Sequence, residues 1–286
     1  MELPKIKLIE CPRDAMQGIR QFIPTEKKIA YINKLLKVGF YSIDFGSFVS
    51  PEVIPQMADT AKVLQGLDWQ PGDSSLIAII ANERGAADAC AFSQISFLGF
   101  PFSVSETFQK RNTNAGMDVA VKRVEAIKTM ADKHGKDLII YLSMGFGNPY
   151  GDPYSPEIVI EWVEKLSVYG IKIFMLSDTI GVANPENIAY LFSKLYASHP
   201  LLEFGAHLHT APHNWRVKID AAYFNGCRRF DAAIRGYGGC PMAKDELIGN
   251  MPTENLVNYF NPEDFGRQFS LSAFEEALRA AGQVFD

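Results

Sequence analysis

Two histidines spaced two residues apart are the side chains of this sequence best suited to metal chemistry. His207 and His209 stand in the segment Phe204-Gly-Ala-His-Leu-His209, directly after an apolar run. In an extended strand, residues i and i+2 point to the same face, so the two imidazoles would project together. Two neutral imidazoles on one face can bind a divalent metal and leave further positions for oxygen ligands. The alternative is a pair of partly buried histidines with local hydrogen bonds, and the spacing alone does not choose between them.

A strand–helix alternation runs along the whole chain and indicates the elements that must position these histidines. Eight strands are predicted, at Ile6–Glu10, Tyr41–Phe45, Ser75–Ala81, Ala91–Leu98, Leu138–Ser143, Ile171–Leu176, Glu203–His207 and Arg228–Ile234. Helices are predicted at Glu26–Val38, Glu52–Leu64, Met117–His134, Pro156–Tyr169 and Pro185–Ala197, then one ending near Gly226 and a last one that begins with Thr253–Phe260.

This alternation predicts the fold class. Eight strand–helix units without a Pro/Gly/Ser-rich linker favour an α/β chain folded as a closed (β/α)8 TIM barrel. We expect residues 1–286 to form a single catalytic domain with a short C-terminal helical extension. The alternative is an open doubly wound sheet. Against it stands the absence of a Gly-rich fingerprint after the first strand, where Glu10-Cys-Pro-Arg13 is found instead.

Composition and charge argue against several classes of partner. The net charge is -5 and no long Lys/Arg run exists, so we expect no nucleic-acid partner. No apolar run approaches the roughly 20 residues that cross a bilayer, so we expect no membrane partner. The beginning, Met1-Glu-Leu-Pro-Lys5, is unlike a signal or transit peptide. Four widely spaced cysteines without a CxxC motif are typical of free thiols, so we expect a cytoplasmic location.

Polar residues gather at the predicted carboxyl ends of the strands, where barrel active sites form. Taken singly they have ordinary explanations, such as a helix cap for Asp14 or a turn for Asn250. Their common position at one rim favours a metal enzyme. The residues are Arg13, Asp14 and Gln17 after the first strand, Asp44 in the second, Ser143 in the fifth, Asp178 and Thr179 after the sixth, His207 and His209 at the seventh, and Cys240 and Asn250 after the eighth.

The donor types in this set indicate the metal. His207 and His209, with Asp14 and the Asn250 carbonyl, would supply two nitrogens and two oxygens. Such a site suits Mg²⁺ or Mn²⁺ with open water positions, and Zn²⁺ is the alternative. Because the set lacks the thiolate cage of structural zinc, we expect a catalytic metal that acts as a Lewis acid on a hydroxyl and a carboxylate of the substrate.

At these residues the chain resembles the 3-hydroxy-3-methylglutaryl-CoA (HMG-CoA) lyase family of the DRE-TIM metallolyase superfamily, from Ile6 to about Phe260. The motifs that carry the resemblance are Pro12-Arg13-Asp14-Ala15-Met16-Gln17, Ser47-Phe-Val-Ser-Pro51, Pro55-Gln56-Met57, Ser177-Asp178-Thr179-Ile-Gly181, His207-Leu-His209, Gly238-Gly-Cys-Pro241 and Gly249-Asn250. The resemblance implies cleavage of HMG-CoA, an acyl-CoA substrate, into acetyl-CoA and acetoacetate. It also suggests a homodimer.

The resemblance further implies a role for each residue. Asp14, His207, His209 and Asn250 would hold the metal, and Asp14, assisted by His207, would take the proton of the 3-hydroxyl group. Arg13 would stabilise the enolate that cleavage leaves. Cys240 would protonate that enolate from a loop that the neighbouring glycines allow to close. The residues expected to bind the substrate and to orient it and the metal ligands are Gln17, Asp44, Asp178 and Thr179.

The chain departs from the family pattern at several positions. Asp44 stands where Glu is usual, and Thr210 follows the histidine pair where Asp is usual, which alters the support behind the metal ligands. Ala15 replaces a glycine, and the loop from Cys240 to Asn250 is one residue longer than usual. Alternative functions are a Claisen-type synthase or a pyruvate-dependent aldolase of the same superfamily, and a non-catalytic barrel that serves as a scaffold.

Overall fold

Eight parallel strands close into a barrel in the computed structural model, which describes residues 4–239 and 248–285. The strands follow one another around the barrel in chain order, and the last one pairs with the first. They are β1 (Lys7–Glu10), β2 (Ser42–Ser47), β3 (Ser75–Ile79), β4 (Ile95–Ser103), β5 (Asp137–Ser143), β6 (Ile173–Ser177), β7 (Glu203–His207) and β9 (Arg229–Ala232). The predicted (β/α)8 barrel is confirmed.

Helices cover the outside of this barrel. They are α1 (Pro12–Gln17), α2 (Thr25–Leu36), α3 (Thr60–Gln65), α4 (Glu83–Cys90), α5 (Glu106–Thr113), α6 (Met117–Lys133), α7 (Pro156–Ser167), α8 (Pro185–Ser198), α9 (Trp215–Phe224), α10 (Thr253–Tyr259) and α11 (Leu271–Phe285). Within the described ranges, none of these helices is long and apolar enough to cross a membrane.

Two predicted elements are wrong in extent. The stretch Glu52–Leu64 is a short 3-10 turn at Pro55–Met57 followed by α3, because a proline disfavours helical backbone in the residue before it. The fourth strand runs from Ile95 to Ser103 rather than over Ala91–Leu98. The residues before it belong to α4, which the Asn82 side chain caps by accepting a hydrogen bond from the Gly85 amide.

The C-terminal region also differs from the prediction. Thr253–Tyr259 is a short helix, and the last helix is α11, whose buried face includes Phe274 and Ala277. Helix α11 packs against α2 and so covers the flank of the barrel next to β1 and β2. The predicted C-terminal extension is therefore an amphipathic helix that belongs to the outer layer.

Two further short strands lie at the carboxyl rim. β8 (His209–Thr210) and β10 (Gly249–Asn250) pair antiparallel, with Asn250 opposite His209. The barrel wall thus ends at His207, and the chain leaves it at Leu208 to form this small ribbon. Beneath the rim, apolar side chains fill the barrel interior, among them Ile9, Ile139 and Met175. They form a closed floor under the polar rim.

Candidate metal centre

Helix α1 places the first two polar residues of the rim. It begins directly after β1 with Pro12 at its first position, where a missing N–H costs no hydrogen bond. Arg13 and Asp14 are consequently buried in the first turn rather than exposed on a loop. The alternative that Asp14 caps a helix is wrong, because Cys11 occupies the N-cap position of α1 and Asp14 lies in its first turn.

The strand ends β7 and β8 bring the two histidines to Asp14. The ring centroids of His207 and His209 lie 5.5 Å apart. One ligand atom from each of Asp14, His207 and His209 can be chosen so that all three lie within 4.8 Å of one another. Residues from opposite ends of the chain therefore converge on a volume of the size of a metal site, and we call these three residues the triad.

His207 is held by a carboxylate from the neighbouring strand. Its Nδ1 lies 3.0 Å from Oδ2 of Asp231, which is buried in β9. Burial lowers the pKa of His207, but the hydrogen bond and the charge of Asp231 outweigh it, so that the pKa is raised. With Nδ1 engaged, Nε2 is the nitrogen that can act as a ligand, an arrangement common in metal-binding histidines.

His209 provides a test of whether the triad suits a metal. Both of its ring nitrogens are buried and lack a hydrogen-bond partner among the residues the structure describes. Burial, together with the neighbouring His207, lowers the pKa of His209 to about 4, so the ring is neutral at pH 7. A neutral imidazole with an unused lone pair is the form that binds a metal. The donor set fits a divalent ion.

Asp14 is ionised and strongly hydrogen-bonded. Burial raises its pKa, but the positive charge of Arg13, the neighbouring imidazoles and the hydrogen bond from Asn250 lower it to about 2. Arg13 Nη1 and Gln17 Nε2 each donate to Oδ1 at 2.8 Å, and Asn250 Nδ2 donates to Oδ2 at 2.8 Å. Because each carboxylate oxygen has two lone pairs, Oδ2 retains capacity for a metal.

Asn250 reaches the triad through the β8–β10 ribbon. Its amide nitrogen donates to Asp14 and to the carbonyl of Tyr237 at 2.9 Å. An amide binds metals through oxygen, so the side-chain carbonyl of Asn250 is the group left for that role. The residue is buried, 3% exposed, which fits a place within the centre rather than in a surface turn.

Arg13 is fixed by two acidic residues. Its Nε donates to Asp44 Oδ2 at 3.0 Å, Nη2 donates to the same carboxylate, and Nη1 donates to Asp14 and Gln17. These contacts use four of the five N–H protons, so one on Nη2 can serve a substrate. The pairing register of β2 shifts between Asp44 and Gly46, directly after the residue that holds Arg13, and such an irregularity bends a strand.

A cavity of about 390 Å³ opens onto the triad. Gln17, Thr179 and Ser143 line it together with Arg13 and the triad. Apolar residues also line it, among them Val49, Ile54, Ile79 and Phe108. Arg111 also lines the cavity, where its guanidinium stacks 4.7 Å over the Tyr150 ring. The cavity lining therefore combines charged and apolar residues.

Two residues expected to bind the substrate or to orient it lie behind the cavity wall. Asp44 holds Arg13, and Asp178 accepts hydrogen bonds from the Ala183 amide and from Lys218. Neither is part of the cavity lining, and both are 1% exposed. In the structure both carboxylates hold other side chains in place, and their expected role toward the substrate stays a prediction. Cys240 lies outside the described residues.

Sequence reasoning missed several residues of this centre. Asp231 could have been noticed as an acid inside an otherwise apolar strand, since buried carboxylates are rare without a partner. Lys218 stands inside a helix and carries no such signal. Arg111 lies in α5, which was not predicted at all.

Two glycines near the rim allow a close approach of the chain, and the loop closure expected of them stays a prediction. In the structure, Gly238 has φ +85, and a Cβ there would lie 2.6 Å from the Asp14 carbonyl oxygen. Gly239 has φ +119 and lies equally close to Ile248. Here glycine is required because the chain packs directly onto α1 and β10 in the left-handed region.

The fold and the site together define a class: a (β/α)8 barrel with a divalent-metal centre at its carboxyl rim. Within that class, the chain belongs to the HMGL-like family, whose model matches residues 5–279. The resemblance seen in the sequence is thereby confirmed.

Relatives agree with this assignment. A mitochondrial hydroxymethylglutaryl-CoA lyase of Bos taurus is 33% identical over 256 residues, which are 88% of this chain and 77% of the relative. A hydroxymethylglutaryl-CoA lyase of Bacillus subtilis is 32% identical over 270 residues, 94% of this chain and 88% of the relative.

Solved structures agree as well. The HMG-CoA lyase of Bacillus subtilis superposes with a TM-score of 0.90 at 30% identity, covering 99% of this chain and 95% of that one. An HMG-CoA lyase of Acinetobacter baumannii, in complex with coenzyme A and 3-methylmalate, gives a TM-score of 0.89 at 30% identity, with 98% and 91% covered.

Proposed function

We propose that this protein is a divalent-metal-dependent carbon–carbon lyase that cleaves HMG-CoA into acetyl-CoA and acetoacetate. The observation that carries the proposal is the convergence of Asp14, His207 and His209 within 4.8 Å at the rim of an HMGL-like barrel. The relatives named hydroxymethylglutaryl-CoA lyase support the substrate, as does the neighbour solved with coenzyme A.

The triad and the Asn250 carbonyl would hold the metal. Two imidazole nitrogens with carboxylate and amide oxygens suit Mn²⁺ or Mg²⁺, with Zn²⁺ as the alternative. When bound, the ion would supply Lewis acidity that lowers the pKa of the substrate's 3-hydroxyl. His207 would contribute Nε2, since Asp231 holds Nδ1 in place.

Asp14 is the proposed base for the 3-hydroxyl. Its pKa of about 2 makes it a weak base, so it can take the proton only from a hydroxyl that has already been acidified. The resemblance implies that His207 assists this transfer, and that role stays a prediction.

Arg13 and Cys240 are proposed to act on the other product. Breaking the C–C bond leaves the electron pair as an enolate of the acetyl thioester, and the remaining Nη2 proton of Arg13 can hydrogen-bond its oxygen. Asp44 keeps the guanidinium in place for this purpose. Cys240 would then give its thiol proton to the enolate carbon.

The cavity suits an acyl-CoA. Polar residues at the triad face the carboxylate end of the acyl group, while Val49, Ile54 and Phe108 offer an apolar surface to the chain that follows the thioester. We also propose that residues 1–286 act as one catalytic domain, that the enzyme is a homodimer and that it is cytoplasmic. The described cysteines, which are free and buried, support a reducing compartment.

The test is incubation of the purified protein, loaded separately with Mn²⁺, Mg²⁺ and Zn²⁺, with HMG-CoA while acetoacetate release is measured. We expect release with at least one of these metals and none after chelation with EDTA. Absence of release with all three metals would show that HMG-CoA is not the substrate.

A further inference from the structure

A buried lysine lies directly behind the candidate metal centre. Lys218, on α9, is 2% exposed. Its Nζ donates to Asp178 Oδ2 at 2.7 Å, to the His209 carbonyl at 2.8 Å and to the Gly181 carbonyl at 3.3 Å. An ammonium has three protons, so all of them are used. A single side chain on α9 thereby connects two segments of the rim, the Asp178–Gly181 turn and β8.

One of these segments contains His209, and the other is hydrogen-bonded to His207. Asp178 directly follows β6, and its amide donates to the His207 carbonyl at 2.9 Å. Its Oδ1 accepts from the Ala183 amide at 3.0 Å, which fixes the carboxylate at the other end. The His209 carbonyl belongs to β8, where the chain has left the barrel wall. The Lys218–Asp178 pair is thus joined to the main chain of both histidines.

Position 210 explains why such support is needed. The Thr210 hydroxyl is buried and has no hydrogen-bond partner within the described ranges, so this side chain does not anchor the ribbon. Backbone pairing with Asn250 holds β8 on one side, and the Lys218 ammonium holds its other side.

We infer that Lys218, acting through Asp178 and the His209 carbonyl, is a positioning residue that sets the geometry of the metal ligands. This inference rests on the metal centre of the proposed function. Metal affinity is sensitive to ligand orientation, and loss of an outer hydrogen-bond partner typically weakens it about 10- to 100-fold. A purely structural ion pair would affect folding stability and leave metal affinity unchanged.

The chain offers a matched control for that distinction. Lys28 is also 2% exposed, and its Nζ donates to Asp59 Oδ1 at 2.7 Å and to the Gln56 carbonyl. It lies on α2 and contacts none of the triad residues. Both are buried lysine–aspartate pairs, but only the Lys218–Asp178 pair is hydrogen-bonded to the main chain of the triad histidines.

The experiment compares the double variants Lys218→Met/Asp178→Asn and Lys28→Met/Asp59→Asn, each of which removes both charges and so leaves no buried charge unpaired. In Asp178→Asn, the new amide oxygen can still accept from the Ala183 amide. Lys218→Arg is measured alongside, because it keeps the charge but presents a planar fork that does not match three converging acceptors. Circular dichroism checks folding, and isothermal titration calorimetry with Mn²⁺ measures affinity.

We expect the Mn²⁺ Kd to rise about 10- to 100-fold in the Lys218→Met/Asp178→Asn variant. A rise of at least about tenfold is expected for Lys218→Arg, and a change of less than about twofold for the Lys28 control. The inference is overturned if the folded Lys218 variants bind Mn²⁺ as the unmodified protein does, or if the control loses as much affinity.

The outcome also separates this inference from the proposed function. An unmodified protein that binds Mn²⁺ yet releases no acetoacetate from HMG-CoA would overturn the proposed substrate and leave the role of Lys218 standing. An unmodified protein that binds no divalent metal would overturn both.

Discussion

His207 and His209 are two residues apart and differ in the state of their rings. The carboxylate of Asp231 raises the pKa of His207 against the effect of burial. His209 has no such partner, and burial lowers its pKa to about 4. One ring is therefore oriented by a hydrogen bond, while the other is kept neutral by its surroundings. Both conditions favour metal binding, for different physical reasons.

We expect His209→Ala to abolish Mn²⁺ retention, because it removes a neutral nitrogen that has no other partner among the described residues. Cys240→Ser should retain Mn²⁺ and lose most of its turnover, since a serine hydroxyl is a far weaker proton donor than a thiol. Metal content after gel filtration measures Mn²⁺ retention, and the rate of acetoacetate release measures turnover. A fully active Cys240→Ser variant would show that this thiol is not the proton donor.

Asp231→Asn tests the orientation of His207. The amide is a weaker acceptor for Nδ1–H than the carboxylate, so we expect the Mn²⁺ Kd to rise about tenfold or more. Asp137→Asn, at the amino end of β5, is the control and should leave the Kd unchanged. Equal affinities in the two variants would mean that Asp231 does not orient the ligand.

At the scale of elements, β1 holds both ends of the rim segment that contains Asn250. Glu10 Oε1 accepts from the Ile234 amide at 2.9 Å, and Oε2 accepts from Thr253 Oγ1 at 2.6 Å. Ile234 follows β9, and Thr253 begins α10. The carboxyl group of Glu10 thus connects the first strand to the point where the segment leaves the barrel and the point where it returns.

This connection predicts a pH dependence of stability. Burial raises the pKa of Glu10 to about 8 from 4.5, against the hydrogen bonds from Thr253 and Ile234. Between those values the folded state holds the proton and the unfolded state does not, so stability falls as pH rises from 4.5 to 8. The slope is at most about 1.4 kcal/mol per pH unit.

Glu10→Gln cannot ionise, so its thermal midpoint should fall less steeply than that of the unmodified protein between pH 5 and about pH 8. The amide can still accept from Ile234 and donate to Thr253. Differential scanning calorimetry at several pH values measures the difference. Parallel curves for the two proteins would show that Glu10 is ionised in the folded state.

The β8–β10 ribbon depends on a close approach at Gly249. A Cβ at this position would lie 2.3 Å from the Gly236 carbonyl oxygen. We therefore expect Gly249→Ala to displace Asn250 and to weaken Mn²⁺ binding at least about tenfold. In Gly266→Ala, the nearest atom would be 3.5 Å away, an ordinary contact, so this control should bind Mn²⁺ normally. Equal affinity of the two variants would contradict the prediction.

Elements with a strong local pattern were predictable, and the others were not. The strand Glu203–His207 was predicted with the bounds it has in the structure, and the helix that begins at Met117 nearly so, because a period of two or of 3.6 residues is visible without tertiary context. Helices α1, α4 and α5 are only six to eight residues long, too short to show a period. Ribbon β8–β10 has two residues a strand and exists only through its pairing.

At the scale of the whole molecule, barrel closure decides which residues can share a centre. Parallel strands with their carboxyl ends on one rim bring Asp14 together with residues almost two hundred positions later. Closure requires β9 to pair with β1, and the pairing of β9 with β7 on its other side places Asp231 beside His207. Metal binding at such a centre is therefore linked to folding of the entire barrel.

This linkage predicts stabilisation by metal. At a free Mn²⁺ concentration about 100-fold above Kd, binding adds about 2.7 kcal/mol, which should raise the thermal midpoint by about 5 °C. His209→Ala should show no rise under the same conditions, and EDTA should reverse the rise in the unmodified protein. A shift of equal size in His209→Ala would place the stabilising metal elsewhere.

The sequence by itself determined the barrel, the rim and most of the polar residues on it, because the alternation of strands and helices and the order of motifs are local patterns. Tertiary structure decided how those residues are connected. Only barrel closure shows that Asp44 and Asp178 face Arg13 and Lys218 rather than the cavity. The Arg13–Asp44 contact joins residues that lie 31 positions apart in the chain, and the Lys218–Asp178 contact joins residues that lie 40 positions apart. No periodic pattern carries information over such separations.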